Sequence, residues 1–190
     1  MYSVEFDTDV ELETVSEEIY KDYIDSVQVA SYVETNEVMH DLRILYSPLN
    51  GTGLKFVLKA LKDSGFKNVS VMPEQEMPDG DFPTCPYPNP ELPEVMEYCV
   101  FYAKETNADI IIATDPDSDR IGVMCRDNKG KFIRLNPNEV GVLMLDFICQ
   151  SMKSGTDNHT SYTPVFMKTV VTTYMAEKVA GRYGLKTINT

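Results

Sequence analysis

The sequence predicts an α/β fold in which helices cover both faces of a short, mixed, mostly parallel sheet. Short branched apolar runs, typical of buried strands, alternate with segments whose apolar residues recur at helical spacing. The run at residues 110–113 is the clearest strand, because it is continuously apolar and ends abruptly in charged residues. This alternation is typical of a three-layer α/β/α sandwich, and 190 residues are enough for one such domain and part of another.

The composition and charge limit the binding partners and the cellular location that we expect for this protein. A formal net charge of −13 argues against binding to nucleic acid or to an anionic membrane surface. The four cysteines form no Cys-x-x-Cys pair and are typical of reduced, mostly buried thiols in a cytoplasmic protein. No stretch reaches the length of a transmembrane helix. We therefore expect a cytoplasmic protein that binds neither nucleic acid nor a membrane.

The N-terminal region begins with an acidic, irregular segment at residues 1–13. Thr14 and Glu17 then have the spacing of a capping box, in which a hydroxyl and a carboxylate satisfy the first free N–H groups of a helix. Apolar residues recur at helical spacing from Ile19 to Val27. The sequence thus predicts a helix capped by Thr14.

A strand–helix–strand unit follows. The strands are predicted at residues 41–46 and 67–72, and Gly65 is suited to end the helix between them. The turn at residues 47–53, Ser-Pro-Leu-Asn-Gly-Thr-Gly, could point backbone N–H groups at a phosphate. A lone Gly-x-Gly is more typical of an ordinary tight turn between a strand and a helix.

The next segment is rich in proline, since seven of the eleven prolines lie in residues 73–93. We expect a long connection without regular structure, which in a compact domain is usually functional or disordered. A helix follows it. The apolar residues predicted to form its core face are Leu92, Val95, Met96, Cys99, Val100 and Ala103.

The second half of the domain is predicted to contain strands at residues 121–125 and 132–135 and then a long helix. Asn136, Pro137 and Glu139 have the positions of a helix cap, a first-turn proline and a third-position glutamate. The residues predicted to line the buried face of this helix are Val140, Leu143, Met144, Phe147 and Ile148.

A polar stretch at residues 154–163 is predicted to be a linker, because it has no apolar period. Residues 164–190 then contain a strand, a helix and the start of another strand. Such a segment cannot bury a core of its own, so we expect it to be poorly ordered or packed on a neighbour. The two histidines, His40 and His159, are expected to be surface or loop residues.

The most informative stretch is residues 114–120, Thr-Asp-Pro-Asp-Ser-Asp-Arg, between two predicted strands. Pro116 and Ser118 favour a turn. Three carboxylates at alternate positions are therefore crowded at one edge of the sheet: Asp115, Asp117 and Asp119. Ionised carboxylates within about 4–6 Å repel, and a divalent cation with a preference for oxygen ligands, such as Mg2+, removes the conflict. Arg120 could offer its guanidinium to a phosphate beside the metal.

Other classes of protein also use acidic turns, and the simplest alternative is a solvated hairpin turn. An EF-hand loop needs Gly at its sixth position and Glu at its twelfth, where this chain has Arg120 and Arg126. A haloacid-dehalogenase-type phosphatase would normally have Thr or Val at position 119. A glycosyltransferase also uses Asp-x-Asp, and that short signal leaves this alternative open.

The whole string at residues 114–120 resembles the metal-binding loop of the α-D-phosphohexomutases, the phosphoglucomutase/phosphomannomutase family. A Phe-Pro…Pro-Asn-Pro-Glu segment at residues 82–91 and the strand at residues 168–173 also resemble parts of this family. The resemblance implies that residues 14–153 are its second, metal-binding domain and residues 164–190 the start of its third. The family commonly has His where this chain has Asn50, so a catalytic role for that position is not implied.

The resemblance also implies a chemistry. Asp115, Asp117 and Asp119 would hold Mg2+, with Arg120 as a catalytic residue near the transferring phosphoryl group. The parent reaction would interconvert hexose 1-phosphate and hexose 6-phosphate, of glucose or mannose, through a phosphoserine and a bisphosphate intermediate. This chain has no Ser-His-Asn-Pro, so we expect a fragment of the enzyme, an intramolecular phosphotransferase, that is inactive alone. The alternatives are a small Mg2+-dependent phosphatase and a non-catalytic module that binds metal or sugar phosphate.

Overall fold

A computed structural model describes residues 14–30, 41–153 and 163–190 of the chain. The predicted N-terminal segment at residues 1–13, the predicted linker apart from Thr163, and both histidines lie outside the described residues. In chain order the elements are α1 (Glu17–Val29), β1 (Arg43–Ser47), α2 (Leu54–Asp63), β2 (Asn68–Val71), a short 3-10 turn (Pro73–Gln75), α3 (Pro93–Glu105), β3 (Ile110–Thr114), β4 (Ile121–Arg126), β5 (Phe132–Leu135), α4 (Pro137–Lys153), β6 (Val165–Lys168), α5 (Tyr174–Arg182) and β7 (Lys186–Asn189).

The main sheet has five strands in the order β2-β1-β3-β4-β5. β1 pairs in parallel with both β2 and β3, while β4 is antiparallel to both of its neighbours. Four of the five strands therefore point the same way, which confirms the predicted mixed, mostly parallel sheet. The register places Leu45 opposite Ile111 and Thr114 opposite Ile121.

The strand order also explains the layers. The chain moves outward from β1 to β2 and then returns past β1 to β3. Because such crossovers are right-handed, α2 and α3 must lie on opposite faces of the sheet. In the structure α3 packs on β3, β4 and β5, and α1 packs on α2. The reversal makes the carboxyl ends of β1 and β3 a topological switch point, where open α/β sheets usually bind ligands.

The core lies between α3 and the sheet and includes most of the helix face predicted from the sequence. Val95, Met96, Cys99 and Ala103 are buried there, and Leu92 and Val100 are partly buried at its edge. All four cysteines of the chain are free thiols. Burial raises the pKa of the Cys99 thiol to about 12, so this group stays protonated and acts as a small apolar core residue.

The two predicted helix caps have different outcomes. At α4 the cap is confirmed, because Asn136 Oδ1 accepts from Glu139 N at 3.0 Å and Glu139 Oε2 accepts from Asn136 N at 2.8 Å. At α1 the prediction was wrong, since the cap is Ser16, whose Oγ accepts from Ile19 N at 3.4 Å. Serine and threonine can both cap a helix, and serine does so somewhat better, so the spacing from Thr14 to Glu17 does not by itself identify the cap.

The predicted buried face of α4 was wrong at three of its five residues, while the other two, Val140 and Ile148, are partly buried. Leu143, Met144 and Phe147 are 59%, 54% and 46% exposed, whereas Cys149 is buried. Apolar residues occur nearly all around this helix, so the period alone does not define one face. α4 packs against α5, and two α4 residues that form hydrogen bonds to residues 163–190, Asn138 and Asp146, are not in the predicted face.

The C-terminal residues form a small unit that packs on α4. β6 and β7 are a parallel pair joined by α5, which lies against α4. Thr173 N donates to Asn138 Oδ1 at 2.7 Å, and Tyr183 Oη donates to Asp146 Oδ1 at 2.8 Å. Of the two outcomes expected for this segment, the structure has the packed one.

None of the described helices could cross a membrane. The longest of them, α4, has 17 residues and carries charged side chains. A transmembrane helix needs about 20 predominantly apolar residues.

Candidate metal-binding site

The metal loop, residues 115–120, is the turn of the β3–β4 hairpin. Ser118 N donates to Asp115 O at 3.0 Å, and Asp115 N donates to Arg120 O at 3.4 Å, which closes the turn. Ser118 has a φ of 64°, a left-handed conformation that is uncommon for a residue with a side chain. The turn expected from Pro116 and Ser118 is therefore present, at the carboxyl end of β3.

The three aspartates of the metal loop converge. One carboxylate oxygen from each of Asp115, Asp117 and Asp119 lies within 4.8 Å of the other two. Asp115 is fully buried, while Asp117 and Asp119 are exposed. Opposite oxygens of a Mg2+ shell are about 4.2 Å apart, given bonds of about 2.1 Å. The carboxylate oxygens are therefore spaced close to the dimensions of such a shell, and this all-oxygen donor set fits a hard divalent cation.

Arg120 holds Asp115 in place. Its backbone N donates to Asp115 Oδ1 at 2.9 Å and its Nε donates to Asp115 Oδ2 at 2.7 Å. Burial alone would raise the pKa of Asp115, but these hydrogen bonds and the positive charge outweigh it and lower that pKa. Asp115 is thus an anchored, ionised carboxylate at the base of the cluster.

Asp119 has the opposite electrostatics. The negative charges of Asp117 and Asp115 raise the pKa of this exposed carboxyl, and the attraction of Arg120 only partly opposes them. The apo cluster therefore carries an unfavourable concentration of negative charge. A bound cation would remove that repulsion, as expected from the sequence.

The Arg120 side chain bridges the cluster and the solvent. Its Nε is also 3.5 Å from Asp119 Oδ1, and 45% of the side chain is exposed. In the part of the chain that the structure describes, its Nη groups make no hydrogen bond. They remain available to an anion next to the metal loop.

The β1–α2 loop, residues 48–53, packs directly against the metal loop. Thr52 donates twice to Pro116 O, from its backbone N at 2.8 Å and from its Oγ1 at 3.0 Å. A Cβ on Gly51 would overlap the Pro116 backbone, and one on Gly53 would lie 2.6 Å from Ser118 Oγ. These contacts meet at the switch point between β1 and β3.

This neighbour relationship is what sequence reasoning missed. The loop was expected to be an ordinary tight turn or a phosphate cradle. Gly51 N donates to Pro48 O at 2.8 Å and Thr52 N donates to Pro116 O, so these two N–H groups are already used. The Gly-x-Gly spacing was the available signal, but the sequence does not say what the glycines face.

Asn50 connects the same loop to the proline-rich segment. Its Nδ2 donates to Met77 O at 2.8 Å and to Glu74 O at 3.3 Å, and its backbone N donates to Gln75 O at 2.9 Å. Gln75 is itself buried and accepts from Ser47 Oγ at 2.6 Å. The proline-rich segment is therefore packed beside the switch point, and the contacts of Asn50 are structural.

The fold and the site together define an α/β domain with an acidic cluster, suited to a divalent metal, at its switch point. A sequence profile described as phosphoglucomutase/phosphomannomutase, alpha/beta/alpha domain II, matches residues 20–130. The chain belongs to the phosphoglucomutase/phosphomannomutase family, as the resemblance in the sequence indicated.

A relative agrees with this assignment, and two solved structures share the fold. A phosphoglucomutase of Staphylococcus saprophyticus is 34% identical over 142 residues, which cover 74% of this chain and 25% of the relative. A solved phosphoglucomutase/phosphomannomutase family protein of Burkholderia thailandensis has a TM-score of 0.64 at 19% identity, over 90% of this chain and 32% of that one. An N-acetylphosphoglucosamine mutase of Aspergillus fumigatus, solved with GlcNAc-6P and magnesium, has a TM-score of 0.55 at 15% identity, over 82% and 32%. The chain thus spans about a quarter to a third of the length of these proteins.

Proposed function

We propose that this chain supplies the Mg2+ site of a phosphohexomutase, an enzyme that interconverts hexose 1-phosphate and hexose 6-phosphate. The observation that carries the proposal is the convergence of three carboxylate oxygens within 4.8 Å in the metal loop of a domain of this family. Mg2+ in particular is supported by the all-oxygen donor set and by the magnesium in the Aspergillus fumigatus mutase.

In this proposal the three aspartates have unequal roles as ligands. Asp115 is buried and held by Arg120, so it would set the position of the ion. Asp117 and Asp119 are exposed and would close on the ion from the solvent side. When bound, the ion would act as a Lewis acid on the phosphoryl oxygens of the substrate. Asp115 remains ionised at neutral pH because its pKa is lowered, so it is ready to bind a cation.

Arg120 is the proposed catalytic residue. Its Nε is fixed by Asp115, which leaves the exposed end of the guanidinium to bind a phosphoryl group beside the ion. A planar guanidinium can bind two phosphate oxygens at once and would stabilise charge that develops during phosphoryl transfer. Lysine would not reproduce this geometry.

The proposed substrate is a phosphorylated hexose, glucose or mannose in the family's common case. The GlcNAc-6P complex of the Aspergillus fumigatus mutase supports a sugar phosphate as the class of substrate. We infer that a phosphoserine and the sugar-binding groups come from other parts of the protein, because this chain has no Ser-His-Asn-Pro. The isolated 190-residue chain is therefore expected to show no mutase activity. Its free cysteines support a cytoplasmic location.

The test is a calorimetric titration of the 190-residue chain with Mg2+ and with Mn2+. Asp117→Asn should weaken binding by about tenfold or more, because it removes a charged ligand from an exposed position without disturbing the core. The matched control is Asp127→Asn, which changes an aspartate in the hairpin turn between β4 and β5.

We expect the control to bind metal like the wild type. Equal affinity of Asp117→Asn and wild type, or no binding by the wild type, would contradict the proposed site. Hydrolysis of a simple phosphate ester by this chain, lost in Asp115→Asn, would favour the phosphatase alternative instead.

A further inference from the structure

We infer that Thr52 is a positioning residue for the metal loop, with Gly51 and Gly53 providing the space for its contact. The inference rests on the proposed metal site and extends it to residues outside the acidic cluster. None of these three residues is a metal ligand. Their role would be to hold the loop in the conformation in which its carboxylates converge.

The contact is made at the centre of the metal loop. The Pro116 carbonyl lies in the peptide unit that joins Pro116 to Asp117, and it accepts from Thr52 N at 2.8 Å and from Thr52 Oγ1 at 3.0 Å. A peptide unit is planar, so the direction of this carbonyl also sets the direction in which the chain enters Asp117. Thr52 therefore acts on the backbone between two of the proposed ligands.

The glycines show that close approach, rather than backbone conformation, shapes this loop. Gly53 has a φ of −70° and a ψ of −18°, which any residue adopts, and Gly51 is not among the residues with positive φ. A Cβ at position 51 would overlap the Pro116 backbone. A Cβ at position 53 would lie 2.5 Å from Tyr46 Oη, 2.6 Å from Ser118 Oγ and 2.9 Å from Thr114 Oγ1. The absence of side chains here lets the two loops touch.

The β1–α2 loop is itself held by other contacts, so it can hold the metal loop in place. Leu49 has a φ of 48°, a conformation that a leucine keeps only when the surroundings impose it, and the next residue, Asn50, has a φ of 57°. Asn50 N donates to Gln75 O at 2.9 Å and Asp79 N donates to Asn50 O at 3.0 Å. The proline-rich segment thus fixes the β1–α2 loop, which in turn fixes the metal loop.

This chain of contacts predicts an effect on metal affinity. If the metal loop is held in place before the ion arrives, binding does not have to order it. Thr52→Val keeps the shape of the side chain but removes the Oγ1 hydrogen bond, so the Pro116 carbonyl loses one of its two donors. Thr52→Ser keeps the hydroxyl and is the matched control.

We would titrate each full 190-residue variant with Mn2+ and follow binding by the loss of the free-ion paramagnetic resonance signal. Thr52→Val should raise the dissociation constant by about three- to tenfold, the range expected for one lost hydrogen bond or supporting contact. Thr52→Ser should remain within about twofold of the wild type. The melting temperature of the metal-free Thr52→Val chain should fall by no more than about 2–4 °C.

A second pair of variants tests the packing. Gly53→Ala introduces a Cβ that collides with Ser118 of the metal loop and also with the hydroxyls of Tyr46 and Thr114, whereas a Cβ at Gly80 would meet no atom within 4 Å. Gly53→Ala should weaken Mn2+ binding more than Thr52→Val does, and Gly80→Ala should bind like the wild type. Since Gly53→Ala could unfold the chain, the Thr52 pair carries the test on its own.

The outcomes separate this inference from the proposed function. If the wild type binds Mn2+ and Thr52→Val binds equally well, the positioning role is wrong and the metal site stands. A loss of affinity that Thr52→Ser does not restore also overturns the positioning role. If the wild type binds no Mn2+, the metal site itself is wrong and the inference falls with it.

Discussion

The two hairpin turns of the sheet have similar local chemistry and different surroundings. In the metal loop Asp115 Oδ1 accepts from the backbone N of Arg120 at 2.9 Å. In the β4–β5 turn, residues 127–131, Asp127 Oδ1 accepts from Lys129 N at 2.9 Å and from Lys131 N at 2.8 Å. Both turns thus begin with an aspartate that organises the backbone beyond it, as this residue commonly does.

The difference lies in what packs against each turn. Asp115 is fully buried, and the β1–α2 loop lies on the metal loop from outside. The β4–β5 turn is at the other end of the hairpin strand, where a Cβ on Gly130 would meet no atom within 4 Å. An acidic turn alone therefore does not indicate a binding site. The metal loop is a candidate site because it lies at the switch point between β1 and β3, whereas the β4–β5 turn does not.

The largest effect that we expect is on the free energy of unfolding, which Asp115→Ala should lower more than Asp127→Ala does. Asp115→Ala leaves the Arg120 N–H groups without their buried acceptor and should lower the free energy of unfolding by about 2–4 kcal/mol. Asp127→Ala removes hydrogen bonds that water can replace and should cost about 1 kcal/mol. Urea denaturation of the metal-free chains at pH 7 measures both.

The Asp115 contribution should also depend on pH. Since its pKa is lowered in the folded state, the carboxylate stabilises the fold above the unfolded pKa of about 4, and this stabilisation is lost as the pH falls through the folded-state pKa. The difference between wild type and Asp115→Ala should therefore shrink in acid. Equal costs for the two aspartates at pH 7 would show that burial does not distinguish the turns.

A smaller effect on the free energy of unfolding is expected from the glycines, which the β4–β5 turn and the β1–α2 loop need for different reasons. Gly130 has a φ of 80°, so its need for glycine comes from the backbone, whereas Gly53 is required by its neighbours. Gly130→Ala should cost about 1–2 kcal/mol in the free energy of unfolding. Gly130→Asn should recover much of this, because asparagine tolerates the left-handed region. Both variants should keep the wild-type affinity for Mn2+, and a change in that affinity would show that the two turns are coupled.

The smallest effect on stability, and the one of opposite sign, is expected for Asp119→Asn. The repulsion from Asp117 and Asp115 raises the folded-state pKa of Asp119, so its charge disfavours the fold above that pKa. Removing the charge should raise the melting temperature of the metal-free chain slightly at pH 7. This gain should disappear at pH values below the unfolded pKa of about 4, where the carboxyl is already protonated.

Bound metal should reduce the stability advantage of Asp119→Asn over the wild type. Because Asp119 is a proposed ligand, Asp119→Asn should gain less thermal stability from saturating Mg2+ than the wild type does. The measurement is a pair of melting curves for each chain, with and without the ion. If metal-free Asp119→Asn melts below the wild type, this prediction is wrong. The attraction between Asp119 and Arg120 would then outweigh the repulsion between Asp119 and the other two aspartates.

Much of the architecture could be read from local patterns. The strand ending at Thr114, the turn at Pro116 and Ser118, and the apolar face of α3 all follow from properties of neighbouring residues in the chain. The three aspartates were identified for the same reason, since alternate positions after a buried strand bring side chains to one edge. The family resemblance in residues 114–120 then added the expected chemistry.

Features that depend on distant residues were not readable in this way. The face that α4 buries depends on α5, and the role of the β1–α2 loop depends on Pro116, which is 64 residues away from Thr52. Local sequence encodes backbone preferences and apolar periods, because these act over a few residues. The choice of contact partners depends on how the crossovers bring remote segments together, so it emerges only when the chain is folded.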